Sequence, residues 1–131
     1  ILLMRFHILA AIVITTASHT AWAKQHADDC LQVVGQAYAF IEQALKEKPE
    51  LAYSPVRTNE TSGMLMEACM DGMTQGHHHD TGKLTMLFEN VETESHRLHP
   101  SLEQSRFLVN HEAMAQAYLD GYEIGNDGGA R

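Results

Sequence analysis

An all-α fold, a small four-helix bundle, is what this 131-residue sequence predicts, and three observations carry that expectation. Apolar residues recur at three- and four-residue steps in four separate stretches. Nowhere does the chain show the strict alternation of a half-buried strand. The only two cysteines, Cys30 and Cys69, fall on two of the helical stretches, where a disulfide would staple one helix to the next.

Residues 1–23 read as an export signal rather than as part of the domain. Arg5 follows Met4 as a positive n-region, Ile8 to Ile14 form a short apolar run, and Ala21-Trp22-Ala23 offers an A-x-A cleavage site. The run falls well short of the roughly 20 apolar residues that span a bilayer, so no stable membrane insertion is expected once the signal is cleaved. Residues 24–131 then form a single helical domain, destined for the periplasm or for secretion.

The first helix is expected over 29–47, with Asp28 or Asp29 as its cap and Pro49 as its stop; Cys30, Val34, Ala37, Tyr38, Ile41 and Leu45 lie along one stripe. Residues 49–60, with two prolines and no sustained period, read as a loop. A second helix is expected over 62–75, with Leu65, Cys69 and Met73 facing inward and Gly76 as a C-terminal stop. Cys69, Gly72 and Gly76 also share a face, where small residues let another helix backbone come close. A third helix spans 83–99, ended by Pro100, which disfavours helical geometry in the residue before it. Leu84, Leu87, Phe88, Val91, Ser95 and Leu98 make its stripe. The fourth, 101–124, opens on Ser101-Leu102-Glu103-Gln104, a capping box, and continues through Phe107, His111, Met114, Tyr118 and Tyr122. The glycine-rich tail from Gly125 is expected to fray. No internal repeat is read.

Charge narrows the partners. Arg5 leaves with the signal, so the mature chain keeps 8 Lys and Arg against 17 Asp and Glu, a net charge of −9. Neutralising phosphate needs clustered cations that are absent, so nucleic acid is not an expected partner. In an oxidising compartment an even cysteine count reads as an intramolecular disulfide, and the absence of CxxC spacing favours a staple over a redox pair.

Metal chemistry has one candidate. His77, His78 and His79 with Asp80 could take Cu or Zn, and Met64, Met66, Met70 and Met73 add soft thioethers suited to Cu(I). Against this stand the ordinary roles of methionine as core filler and of histidine in a polar turn. His96 and His99 would share one side of the third helix, near its C-terminus, and His111 falls on the apolar stripe of the fourth. No resident cofactor is otherwise expected. No HExxH, GxSxG, phosphate-cradling glycine loop or CxxCH occurs, and Glu67 with Asp71 reads as a solvated face, so the chain is not expected to be an enzyme.

What remains is a binding module acting through a protein partner, of inhibitor, immunity or stress-chaperone type. The stretch ACMDGMTQG is distantly similar, over nine residues, to the Cys-then-glycines helix of secretion-system immunity proteins, although it lacks the aromatic expected after Gly72. A stress role would draw on the seven histidines of the mature chain, which gain charge as pH falls.

Overall fold

The computed structural model describes residues 26–52 and 55–129, and among these four α-helices and no strand are found. The expected signal segment, residues 1–23, lies outside the described residues. Helix α1 covers 26–47, and a 3-10 turn, Pro49–Leu51, follows it. Helices α2 (Pro55–His77), α3 (Gly82–Ser95) and α4 (Leu102–Gly129) complete the bundle.

The predicted stripes build the core. Cys30, Val34, Ala37 and Ile41 of α1 are buried with Leu65, Cys69 and Met73 of α2, Leu87 of α3 and Tyr118 of α4. Cys30 and Cys69 are disulfide-bonded, with their Cα atoms 5.7 Å apart, and both are fully buried. The Met73 sulfur lies 3.2 Å from the Cys30 sulfur. Neither atom carries a proton, so this is a sulfur–sulfur packing contact and not a hydrogen bond.

Helix ends depart from the sequence reading in informative ways. Helix α1 already includes Asp28 and Asp29, which therefore do not cap it; His26 reaches Asp29 across one turn at 3.2 Å. Half of the expected 49–60 loop is helical, because Pro55 sits at the start of α2, where its fixed φ and missing N–H cost nothing. Residues 49–52 are held in place as well, since Leu51 is buried and Arg106 of α4 donates to the Glu50 carbonyl at 3.0 Å. Helix α3 stops at Ser95, four residues early. Ser95 turns its hydroxyl onto the Glu92 carbonyl at 2.7 Å, and His99, held out of the helical region by Pro100, takes φ 54°. Leu98 is consequently 85 % exposed, and His96 and His99 do not share a helical face. The capping box at the start of α4 is present as expected. Gln104 N–H donates to Ser101 Oγ at 3.1 Å, and Ser101 N–H donates to Gln104 Oε1 at 2.9 Å.

The largest departure is at the glycines. Gly76 does not end α2, and the tail does not fray at Gly125; both lie inside helices and are buried. A Cβ built on Gly72 would strike the Tyr118 carbonyl, and one on Gly76 the Tyr122 carbonyl. In return, a Cβ on Gly121 would strike the Cys69 carbonyl, and one on Gly125 that of Met73. Position numbers rise together on the two helices, so α2 and α4 run parallel and meet backbone to backbone, a geometry that only small residues permit. Such close approach also brings Cα–H groups of one helix against carbonyl oxygens of the other.

These contacts expose a repeat that the sequence reading missed. Ala68-Cys69-Met70-Asp71-Gly72-Met73-Thr74-Gln75-Gly76 and Ala117-Tyr118-Leu119-Asp120-Gly121-Tyr122-Glu123-Ile124-Gly125 share the pattern A-x-x-D-G-x-x-x-G. Each glycine meets the residue equivalent to the one its counterpart meets, so the crossing has a local pseudo-two-fold axis along the parallel helices. The core face of α4 keeps Tyr118 of the expected stripe, with Met114 packed partly against it, and adds a row of small residues, with Ala113, Ala115 and Ala117 buried beside Gly121 and Gly125. Phe107, the first member of that stripe, is exposed.

Candidate functional site

A strip of the α4 surface lies open between it and α1. From α1 the strip is walled by His26, Asp29, Val33, Gln36 and Phe40, which follow one another at three- and four-residue steps and therefore occupy one helical face, with Gln32 and Ala37 beside them. From α4 it is walled by residues between Glu112 and Gly128, in the opposite order. Two hollows, of 540 and 510 Å³, lie along this groove, with Gln36 and Asp120 lining both. At 1.5 Å per residue, the α1 wall from His26 to Phe40 is about 21 Å long, or four helical turns.

The far end of the groove is apolar. Phe40 of α1 and Phe88 of α3 stand 44 % and 38 % exposed beside Val91, Ala37 and Ala113. The helical period assigns Phe88 to the inward stripe of α3. It faces the groove instead, because α3 meets α4 chiefly through Leu87, with Leu84 and Val91 packed partly against the core.

The groove is also acidic. Asp29, Glu112, Asp120, Glu123 and Asp127 line it, and neither Lys nor Arg does. Asp29 faces His26, and Asp120 accepts from Gln116 Nε2 at 2.9 Å; among the described residues no Lys or Arg pairs with any of the five. Burial at the apolar end raises the Glu112 carboxyl above the usual carboxylate value.

A different arrangement holds on the opposite side of α4. Lys83 pairs with Asp71, tying α3 to α2, and its ammonium stands 5.7 Å from the centre of the Tyr118 ring. Asp71 is thus a partner of Lys83 rather than simply part of a solvated face with Glu67. The Tyr118 hydroxyl is buried without a hydrogen-bond partner among the described residues, and burial, with the Asp71 and Asp80 carboxylates nearby, pushes its pKa up to about 12.

The candidate metal ligands fall into separate environments. His77, half-buried at the end of α2, meets the exposed His78 ring edge to face at 5.6 Å. His79 takes φ 56° and points its Nδ1 at Asn126 Oδ1, 2.5 Å away. Its backbone N–H donates to the Gly76 carbonyl at 3.1 Å, and that of Asp80 to Gln75 at 2.9 Å, the double bond of a Schellman cap with histidine in the place usually held by glycine. Asp80 Oδ1 accepts from the Gly82 N–H at 3.0 Å and so opens α3. Met73 is buried on the disulfide, Met66 and Met70 pack partly against the core, and Met64 lies in the hollow beside Tyr118. Among the described residues, no group of three or more His, Cys, Asp or Glu side chains is placed to hold a metal ion. His111, expected on the apolar stripe, is half-buried and stacked on Phe107 with ring centres 4.8 Å apart.

No protein-family model matches the chain, nor does any curated protein or solved structure. Among the described residues, no helix is long and apolar enough to cross a membrane.

Proposed function

We propose that this chain is an exported helical binding protein that acts by burying the α1–α4 groove against a protein partner, as an inhibitor, immunity or stress-chaperone protein does. One observation carries this reading: two phenylalanines from different helices, Phe40 and Phe88, stand exposed around a single groove. Exposed aromatic side chains gathered at a concave surface mark interaction sites more often than isolated ones do. Export is supported by the buried disulfide, a bond that persists in oxidising compartments.

Site-specific photocrosslinking in the exporting cell tests the proposal. A photoreactive side chain is placed at position 40 or 88, with position 74 on the exposed side of α2 as control. Discrete adducts with one protein are expected from 40 and 88 and not from 74. Adducts obtained instead from 98 and 107, near the exposed α3–α4 turn, would move the interface to that end of the molecule and overturn the groove as the site.

A further inference from the structure

Resting on the reading of the groove as a protein-docking site, we infer that its occupant is a basic, amphipathic α-helical segment of the partner. Charge complementarity is the first argument. Five carboxylates, Asp29, Glu112, Asp120, Glu123 and Asp127, flank the groove over its length without a Lys or Arg among its lining residues. A row of like charges around a partly apolar channel favours a ligand with the opposite charge on its flanks and apolar anchors between them.

Backbone chemistry supplies the second. Both long walls are α-helices, whose interior N–H and C=O groups are already paired within each helix. An extended peptide laid between them would find no edge to bond to, and its covered amides would go unsatisfied. A helix brings its own hydrogen bonds and needs only side-chain contacts, which is how amphipathic helices dock in grooves.

Dimensions agree. About four turns fit along the α1 wall, enough for anchors at i, i+3 or i+4, and i+7 to reach toward Phe40 and Phe88. Arginine is suited to the flanks: its stem lies along apolar surface while the guanidinium pairs with carboxylates in bidentate fashion. At the apolar end, a guanidinium beside Glu112 would compensate the carboxylate that burial disfavours.

The test uses the exported chain and a synthetic 15-residue helical peptide with leucines at i, i+3, i+4 and i+7 and arginines on both flanks. Its counterpart carries citrulline, neutral and nearly isosteric, at every arginine. Binding is followed by titration calorimetry and by amide chemical shifts. The arginine peptide is expected to shift amides around Ala37, Phe40, Phe88 and Ala113, and the citrulline peptide to bind at least tenfold more weakly. Asp120→Asn with Glu123→Gln and Asp127→Asn, in a protein of unchanged helix content, should weaken the arginine peptide at least tenfold, and Phe88→Ala should do the same.

Equal binding of the two peptides in the groove would overturn the charge argument while leaving the groove as a docking site. Shifts scattered over the surface would show only the pull of an acidic protein and would overturn it too. If neither peptide binds while crosslinks from 40 and 88 persist, the partner has another chemistry; if those crosslinks are also absent, the groove reading itself fails. Self-association of the chain that Phe88→Ala abolishes would make a second copy the occupant and end the inference.

Discussion

Tyr118 shows how much one side chain can carry without being visible as special in the sequence. Periodicity placed it on the inward face, and it is there, but its hydroxyl finds no partner among the described residues and its ionised form is opposed by burial and by Asp71 and Asp80. Its folded pKa, about 12, lies above the unfolded value near 10, so its contribution to stability is complete below about pH 10 and is lost as pH rises through 12. Tyr118→Phe should therefore leave stability at pH 7 unchanged or raised by up to about 1 kcal/mol, since an unpaired buried hydroxyl is removed. The same variant should be less sensitive to alkali between about pH 10 and 12, as denaturant melts at each pH would reveal. A wild-type hydroxyl that met a partner would instead make the phenylalanine variant weaker at neutral pH. His79 was less legible still: three consecutive histidines suggested a ligand set, whereas His79 and Asp80 also have the backbone task of closing α2 and opening α3. Composition advertises imidazoles; it does not advertise φ.

At the scale of elements, apolar spacing located all four helices, and the capping box set the start of α4 within one residue. Their ends were misread wherever a residue usually found at helix ends was doing interior work, or the reverse. Proline at position 55 begins a helix, and Gly76 and Gly125 sit inside helices because the opposite backbone leaves no room for anything else. That difference is testable by identical substitutions in unlike places. Gly35 and Gly63 are helical and exposed, and a methyl added at either would have nothing within 4 Å, so Gly35→Ala and Gly63→Ala should each stabilise by about 0.5–1 kcal/mol through helix propensity. Gly72→Ala or Gly125→Ala should destabilise by about 1–3 kcal/mol or more, because a methyl at either meets backbone, which cannot swing aside. Urea melts of the four variants give the comparison, and a uniform sign across them would refute the crossing geometry. The groove was hidden because Phe88 fits the helical period as a core residue, whereas Leu87 beside it is the side chain of α3 that is buried.

For the whole molecule, the disulfide is the long-range constraint that sequence did reveal, since two cysteines leave one intramolecular pairing. It joins positions 39 apart, a separation for which chain entropy gives a stabilisation of roughly 4 kcal/mol. That is a large share of what a domain of this size retains. Cys30→Ala with Cys69→Ala, which leaves no unpaired thiol, should lower the melting temperature by well over 10 °C, measured by circular dichroism. A drop of only a few degrees would mean that the glycine crossing holds the bundle without the staple. Acid acts on the molecule with mixed sign. Glu112, whose pKa burial raises, is relieved by protonation, whereas Glu94, held below its usual value by Arg97, loses its partner as pH falls.

Where backbone lies directly on backbone, there are no side chains left to trade size for size, so the seam between α2 and α4 cannot be revised in small steps. Core positions elsewhere can drift through Leu, Ile and Met while the volume is shared out again; the four seam positions are held to one residue, and a change at one is not repaired by a change at its neighbour. The part of this chain that would survive long divergence is accordingly a spacing rather than a composition: two A-x-x-D-G-x-x-x-G segments, 49 positions apart, with enough chain between them for one returning helix. Any sequence that kept that pair could rebuild the same crossing around an otherwise different surface.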